Sequence, residues 1–226
     1  MKSFLIGAAL AAASTFGQVT PMGGGYDFKM RFTPGQTMRY QISTDVQMAG
    51  QPMKTVQTLN QKVLAVKNGV ATIEVSTTMT PTSTGGAPQT IPATKKTLRM
   101  DAKGKVVGGD AGMSSPTASL PLKPVRVGES WSSQVPVPGM PGGMANVTST
   151  FRGLKSVNGQ QVAEVAFRMN MSGRYSMNGT GTSLILVKDG QTLSNTMNAA
   201  MTMPNPQGGA GAKPMKINIA FMMKRV

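Results

Sequence analysis

The sequence predicts an all-β protein, an antiparallel meander of about 10–12 strands built from an internal duplication. Three observations lead to this prediction. Apolar and polar residues alternate with a period of two along most of the chain, which is typical of strands with one buried face. Asn-Gly pairs at 68–69 and 158–159 separate alternating stretches, as in two-residue hairpins. No stretch after residue 25 has the apolar period of a convincing amphipathic helix.

The two Asn-Gly hairpins are copies of one pattern. VLAVKNGVATIEV over 63–75 and GLKSVNGQQVAEV over 153–165 are ninety positions apart, and both place a Glu-Val pair at the same offset after the turn. A second match joins 34–38 with 127–131, where a Gly turn precedes a strand. Because one small sheet cannot cover its own apolar face, the halves should share a core. They would form either one strongly curved sheet, a half-barrel, or two facing sheets.

The expected domain organisation begins with a signal peptide over 1–17, in which Lys2 precedes an apolar run and small residues. Residues 18–25 are expected to be a flexible lead-in. Residues 26–226 form a single β domain that comprises repeats over 26–108 and 119–203 and a final strand over 215–225.

The strands expected from the alternation follow in chain order. They lie near 26–32, 38–48, 55–66, 71–79, 98–100, 106–107, 147–151, 163–171, 175–181, 184–187, 193–203 and 215–223, with Trp131 at another strand start. Asp101 and Asp189 fall in turns, where an Asp side chain hydrogen-bonds its own backbone.

Composition excludes several kinds of chemistry. The 226 residues include no Cys and no His, so disulfides, thiol chemistry, the usual zinc sites and the commonest general base are absent. The net charge of +15 favours an anionic neighbour such as an envelope polymer. Nucleic acid is not expected as a partner, because aromatic residues are only 5% and do not interleave with basic clusters. No later segment is a candidate membrane-spanning helix, so an integral membrane protein is not expected either.

The carboxylates contain one pair related by the duplication, Glu74 and Glu164. Paired-carboxylate catalysis would need them to converge in a cleft. The simpler interpretation is that both point outward on strands and are balanced by Lys or Arg. We therefore expect no catalytic residue, no cofactor and no enzymatic activity.

Methionine supplies the candidate binding residues. The chain has 20 Met, many of them two apart on a strand and therefore on one face. Thioethers on one face could bind Cu(I), but the same spacing is produced by core packing, and without His no metal site is expected. The candidate ligand-binding residues are Trp131, Met169, Met171, Met177, Met201 and Met203.

Short motifs resemble a known kind of protein. FTPGQTMRY, the Asn-Gly hairpin with its Glu-Val pair, PVRVGESW and the Asp-Gly turn resemble secreted bacterial β-rich domains of unknown function. Some of these are similar in strand count to the half-barrel carriers of lipoprotein localisation. This chain lacks the clear lid helix of such carriers, and the resemblance assigns no functional residue.

Two functions are therefore expected as alternatives. The first is an exported, periplasmic or extracellular, non-enzymatic protein that holds an apolar or lipid-like ligand on a methionine-rich concave face. The second is an envelope structural or adhesion module that binds anionic polymers through its cationic surface.

Overall fold

The computed structural model describes residues 19–48, 51–82, 91–110, 120–136, 143–173, 175–204 and 214–226. Within these residues the protein is all-β, as the alternation predicted, and has no helix. The predicted signal peptide over 1–17 lies outside the described residues. The strands are β1 (Val19–Met22), β2 (Gly25–Phe28), β3 (Thr37–Met48), β4 (Gln51–Lys67), β5 (Val70–Thr82), β6 (Ile91–Asp101), β7 (Val106–Gly109), β8 (Ser130–Pro136), β9 (Met144–Val157), β10 (Gln160–Met171), β11 (Ser176–Leu186), β12 (Thr192–Met203) and β13 (Met215–Arg225).

Eleven of these strands form one antiparallel sheet, in the order β7-β6-β5-β4-β3-β13-β12-β11-β10-β9-β8. Strands β1 and β2 pair separately as a small hairpin. The large sheet is not closed into a barrel. Of the two arrangements expected from the sequence, the structure has the single sheet and not the two facing sheets. The meanders β3–β7 and β8–β12 run across the sheet in the same direction. The last strand, β13, lies between β3 and β12 and joins them.

Both predicted hairpins are present. Asn68 and Asn158 have positive φ of 51° and 50°, and the glycines after them have φ of 75° and 74°. A turn with positive φ at both central residues matches the right-handed twist of the flanking strands in a two-residue loop. Near each hairpin the register shifts, leaving Leu64 and Arg152 unpaired. Such bulges bend a strand and increase its twist, so each repeat has a built-in source of curvature.

An N-terminal segment over 19–31, which we call the strap, shows how strongly the sheet curves. The N–H of Met30 donates to the carbonyl of Ala102 at 2.7 Å, and the N–H of Arg31 donates to that of Asp189 at 2.8 Å. These carbonyls lie in the turns after β6 and β11, strands that are six spacings apart in the sheet, about 29 Å if it were flat. Neighbouring Cα atoms of the strap are only about 3.8 Å apart. The sheet must therefore curl until the two turns meet at the strap.

Aromatic rings pack where the strap meets the sheet. Phe28 is fully buried, with its ring 5.2 Å from that of Phe151 and 6.1 Å from that of Trp131. Tyr26 adds an edge-on contact with Phe151 at 5.2 Å. Edge-to-face pairs of this kind stabilise beyond the area they bury. The strap therefore closes one end of the curved sheet with an aromatic plug.

The expected flexible lead-in over 18–25 contains ordered structure instead. Val19–Met22 is strand β1, Val19 is only 1% exposed, and its N–H donates to the carbonyl of Val187 at 3.1 Å. The physical reason is that Val19 packs into the same core as Phe28. The local sequence, in which three glycines follow Met22, gave no sign of this distant contact.

Asp27 is a buried charge in the strap, and two lysines neutralise it. Lys103 Nζ is 2.8 Å from Asp27 Oδ1 and also donates to the carbonyl of Phe28, while Lys29 Nζ is 2.7 Å from Oδ2. Burial acts to raise the pKa of the Asp27 carboxyl, but the hydrogen bonds and charges of the lysines lower the pKa below its ordinary value. Lys103 belongs to the turn after β6, so this pair ties the strap to the first repeat.

Replacing Asp27 by Asn should destabilise the protein by about 2 kcal/mol near neutral pH, because Lys103 loses its charged partner. The pKa of Asp27 is lowered by folding, so its contribution is complete above the ordinary value of 3.8 and is lost as the pH falls through the lower folded value. The gap between wild type and Asp27→Asn in denaturant unfolding should therefore narrow at acid pH.

Asp45→Asn is the matched control, because Asp45 is 53% exposed and lies 3.9 Å from Lys54. Its effect should be within about 0.5 kcal/mol. An Asp27→Asn protein as stable as wild type at neutral pH would contradict the role given to this carboxylate.

Candidate functional site

Cross-strand pairing places the candidate methionines on one face of the large sheet. Met171 pairs with Met177, Met177 with Met201, and Met201 with Ile217. Directly paired residues share a face, so these side chains form a row across four strands. Trp131 pairs with Ser149, which pairs with Phe167, and the period of two puts Phe167 on the same face as Met171. We call this the inner face, because it also carries the core side chains.

Two separate apolar clusters occupy the inner face. The first lies at the strap end and includes Trp131, which is half-buried. The second, which we call the methionine cluster, lies farther from the strap and contains both buried and half-buried residues. Its members are Ala145, Met171, Met177 and Ala199, all buried, and Val135, Met169, Tyr175, Met197, Met201 and Ile219, all half-buried.

The structure thus brings together four of the six residues singled out from the sequence: Met169, Met171, Met177 and Met201. Met203 is half-buried on the same face of β12, at the end of that strand. Trp131 belongs instead to the cluster around Phe28. The sequence analysis did not name six other members, of which the largest are Met197, Tyr175 and Ile219. Met197 and Tyr175 lie at even spacings from the candidates Met201 and Met177, so the period of two could have nominated them. Ile219 lies on β13, which carried no candidate.

Part of the inner face carries small residues in place of large side chains. One row across four strands reads Met169, Gly179, Ala199 and Ile219. A Cβ at Gly179 would lie 3.0 Å from that of Ala199. In this row no large side chain of β11 or β12 therefore stands between Met169 and Ile219, and both small residues are buried.

Gly181 has a different role, because its neighbour in the register is Phe167. A Cβ at Gly181 would collide with the Phe167 ring and with the carbonyl oxygen of Thr196. The missing side chain lets the Phe167 ring lie across β11. Gly181, in the Gly-Thr-Gly-Thr segment over 179–182, therefore has a structural explanation.

Two polar atoms of the inner face are buried without a hydrogen-bond partner among the described residues: Asn195 Oδ1 and Ser133 Oγ. Asn195 is only 6% exposed. It pairs with Ser183 on one side and Met223 on the other, and Met197 follows two positions later. Buried polar atoms normally have partners, so Asn195 Oδ1 is an acceptor to which no described group donates a hydrogen bond.

Charged groups gather at the strap end of the sheet. Arg225 Nη1 lies 3.3 Å from Asp189 Oδ2, and both side chains are largely buried. Burial raises the pKa of Tyr40 to about 12. The positive charge of Arg225 acts to lower this pKa, and the negative charge of Asp189 acts to raise it further.

The two turn Asp residues bind the backbone of their own turns. Asp189 Oδ1 accepts the N–H of Gln191 at 2.9 Å, and Asp101 Oδ1 accepts that of Lys103 at the same distance. The predicted role of both Asp residues in their turns is confirmed.

The opposite face, which we call the outer face, is polar. Glu74 lies 3.6 Å from Lys95, and Glu164 lies 2.7 Å from Lys155. Each Glu is balanced by its own Lys, as the simpler interpretation of the sequence held.

A row of amide side chains also crosses the outer face over seven strands, with Ala200 as its one interruption. Its members are all exposed: Gln134, Asn146, Asn170, Asn178, Asn218 and Gln47. The Gln134 amide donates to Asn146 Oδ1 at 3.2 Å.

Two negative findings apply to the described residues alone. No group of three or more acidic side chains there could hold a metal ion. None of the described segments is a helix of the length and apolarity that a membrane crossing requires.

Comparisons with known proteins give two similar solved structures. A protein assigned as exported, with a YmcC-like fold, from Bacteroides fragilis NCTC 9343 is 12% identical with a TM-score of 0.41, over 85% of this chain and 97% of its own. A protein assigned as a lipoprotein from Parabacteroides distasonis ATCC 8503 is 9% identical with a TM-score of 0.40, over 86% and 98%. No family model matches the chain, and no curated protein matches it significantly. At these values the two structures establish neither a family nor a function for this chain.

Replacing Gly181 by Ala should destabilise the protein by about 1–3 kcal/mol, because the new methyl group overlaps a ring and a backbone oxygen. Thr180→Ala is the control, since Thr180 is exposed on the outer face of the same strand and should change stability by less than about 0.5 kcal/mol. Thermal unfolding measures both. Equal melting temperatures for the two variants would contradict the close approach of Phe167 to β11.

Proposed function

We propose that this protein is an exported, non-enzymatic binding protein that holds an apolar, lipid-like molecule against the methionine cluster. The observation that carries the proposal is a set of large apolar side chains that are half-buried on the inner face. Met169, Met197, Met201 and Ile219 each keep part of their apolar surface exposed. An apolar surface of this kind gains free energy when a ligand removes it from water.

Methionine suits such a role because of its flexibility. Its side chain is unbranched and polarizable, so it adapts to ligands of different shape better than Leu or Val. The strap end of the same face also contains methionines, among them Met38, Met100 and Met223, but these are buried together with Phe28 and Phe151. The half-buried methionines of the methionine cluster are therefore the ones open to a ligand.

Export is supported by the N-terminal sequence, in which Lys2 and the apolar run from Phe4 have the order of a signal peptide. A non-enzymatic role is supported by the carboxylates. Glu74 and Glu164 are each paired with a lysine on the outer face, and Asp101 and Asp189 bind turn backbones.

Met201→Lys should weaken binding of the neutral apolar dye Nile red at least about tenfold, because a charge would be placed in an apolar site. Met222→Lys is the matched control, since Met222 is 54% exposed on the outer face and the charge change is identical. Its affinity for the dye should equal that of wild type. Dye fluorescence measures affinity, and mass spectrometry of the native protein detects lipid that co-purifies. A delipidated protein that binds no dye would overturn the proposal.

The amide row on the outer face favours a second candidate function, that of an envelope module which binds an anionic polymer. Regularly spaced amides can donate to and accept from the hydroxyl groups of a polysaccharide. Arg168 and Lys216 are exposed beside the row, on the strands that carry Asn170 and Asn218. Together with the net charge of +15, they favour a ligand with negative charge.

Removing two amides from the row, as Asn170→Ala with Asn178→Ala, should weaken retention on an anionic polysaccharide roughly tenfold at low salt, because two hydrogen-bonding groups are lost. Retention of wild type should fall with added salt. Ser76→Ala on β5 is the control outside the row and should behave as wild type. Retention of the double variant equal to that of wild type would count against this second function.

A further inference from the structure

We propose that the ligand is a long-chain molecule with an uncharged hydrogen-bond donor at one end, and that Asn195 receives this donor. The inference rests on the proposed binding at the methionine cluster and names the chemical class of the ligand. Hydroxyl and amide groups are donors of this class.

The position of Asn195 carries the proposal. In the register it lies beside Met223, which belongs to the core at the strap end, and two residues before Met197, which belongs to the methionine cluster. It therefore marks the boundary between the closed end of the inner face and the candidate binding region. Nothing else among the described residues of that face combines such deep burial of a side-chain amide with an unpartnered oxygen.

The chemistry of the unpartnered atom selects the ligand group. Asn195 Oδ1 is an acceptor with two lone pairs, so it needs an N–H or O–H donor. A carboxylate offers only acceptors and would also bring an unpaired charge into an apolar surrounding. An ether or a methyl ester likewise has no donor. The atom therefore favours a neutral alcohol or amide over the other common lipid ends.

The length of the binding region agrees with a chain attached to that group. Along β12 the inner-face positions after Asn195 are Met197, Ala199, Met201 and Met203. Asn195 and Met203 are eight positions apart, a distance of about 26 Å along a strand. A long alkyl chain can lie along these side chains with its polar end toward the strap. Ser183, which pairs with Asn195, offers a hydroxyl next to the same end.

The first test uses the wild-type protein and a matched pair of ligands, dodecan-1-ol and dodecyl methyl ether, in displacement of Nile red. The alcohol should bind about tenfold more tightly than the ether, the effect of one hydrogen bond to an otherwise unsatisfied buried acceptor. Equal affinities, or a preference for the ether, would overturn the inference and leave the proposed function intact. If neither ligand displaces bound dye, or if the dye does not bind, the inference and the proposed function are both overturned.

The second test removes the acceptor. In Asn195→Leu the ratio of the two affinities should fall to about one, whereas Asn198→Leu, exposed on the outer face of the same strand, should keep the wild-type ratio. Because the replaced oxygen has no partner, Asn195→Leu should fold at least as stably as wild type in thermal unfolding. A ratio that stays near ten in a folded Asn195→Leu protein would overturn the inference. The wild-type ligand pair decides the proposal even if this variant does not fold.

Discussion

The fold depends on one constraint, the meeting of both repeats at the strap. Neighbouring N–H groups at Met30 and Arg31 donate to equivalent turns of the two repeats, although the strands before those turns are six spacings apart in the sheet. Only strong curvature satisfies both hydrogen bonds. Phe28 fills the space where the strap, Trp131 and Phe151 converge. The concave shape is thus imposed by a contact outside the sheet as well as by the bulges within it.

Closing one end makes the two ends of the inner face unequal. Side chains near the strap are fully buried, as Phe151 and Val165 are, whereas Met197 and Met201 farther along are only half-buried. Methionine occurs at both ends, since Met38, Met100 and Met223 are buried at the closed end, so the two ends differ in exposure rather than in residue type. Under the proposed function, the fully buried end would hold the curvature and the half-buried methionines would contact the ligand.

The sequence predicted what depends on neighbouring residues. The positive φ at Asn68 and Asn158, the outward Glu74 and Glu164 and the turn role of Asp189 all follow from local chemistry or from the period of two. Contacts between residues far apart in the chain could not be predicted from the sequence. Val19 is ordered by Val187, far along the chain, and β13 enters between β3 and β12 although nothing in its own alternation specifies those partners. The unpartnered oxygen of Asn195 is of the same kind, since burial without a partner is a property of the assembled face.

The small residues of the inner face bear on whether the methionine cluster is only core. Gly181 is explained by the Phe167 ring, which needs the space that a side chain would take. Gly179 is constrained chiefly by Ala199, and Ala199 is itself small. A larger side chain at Gly179 would press on Ala199, because a Cβ there already lies 3.0 Å from the Cβ of Ala199. Both residues are buried, so the close approach of β11 and β12 explains their small size. What the proposed ligand would cover is therefore the half-buried side chains around them, such as Met169 and Ile219.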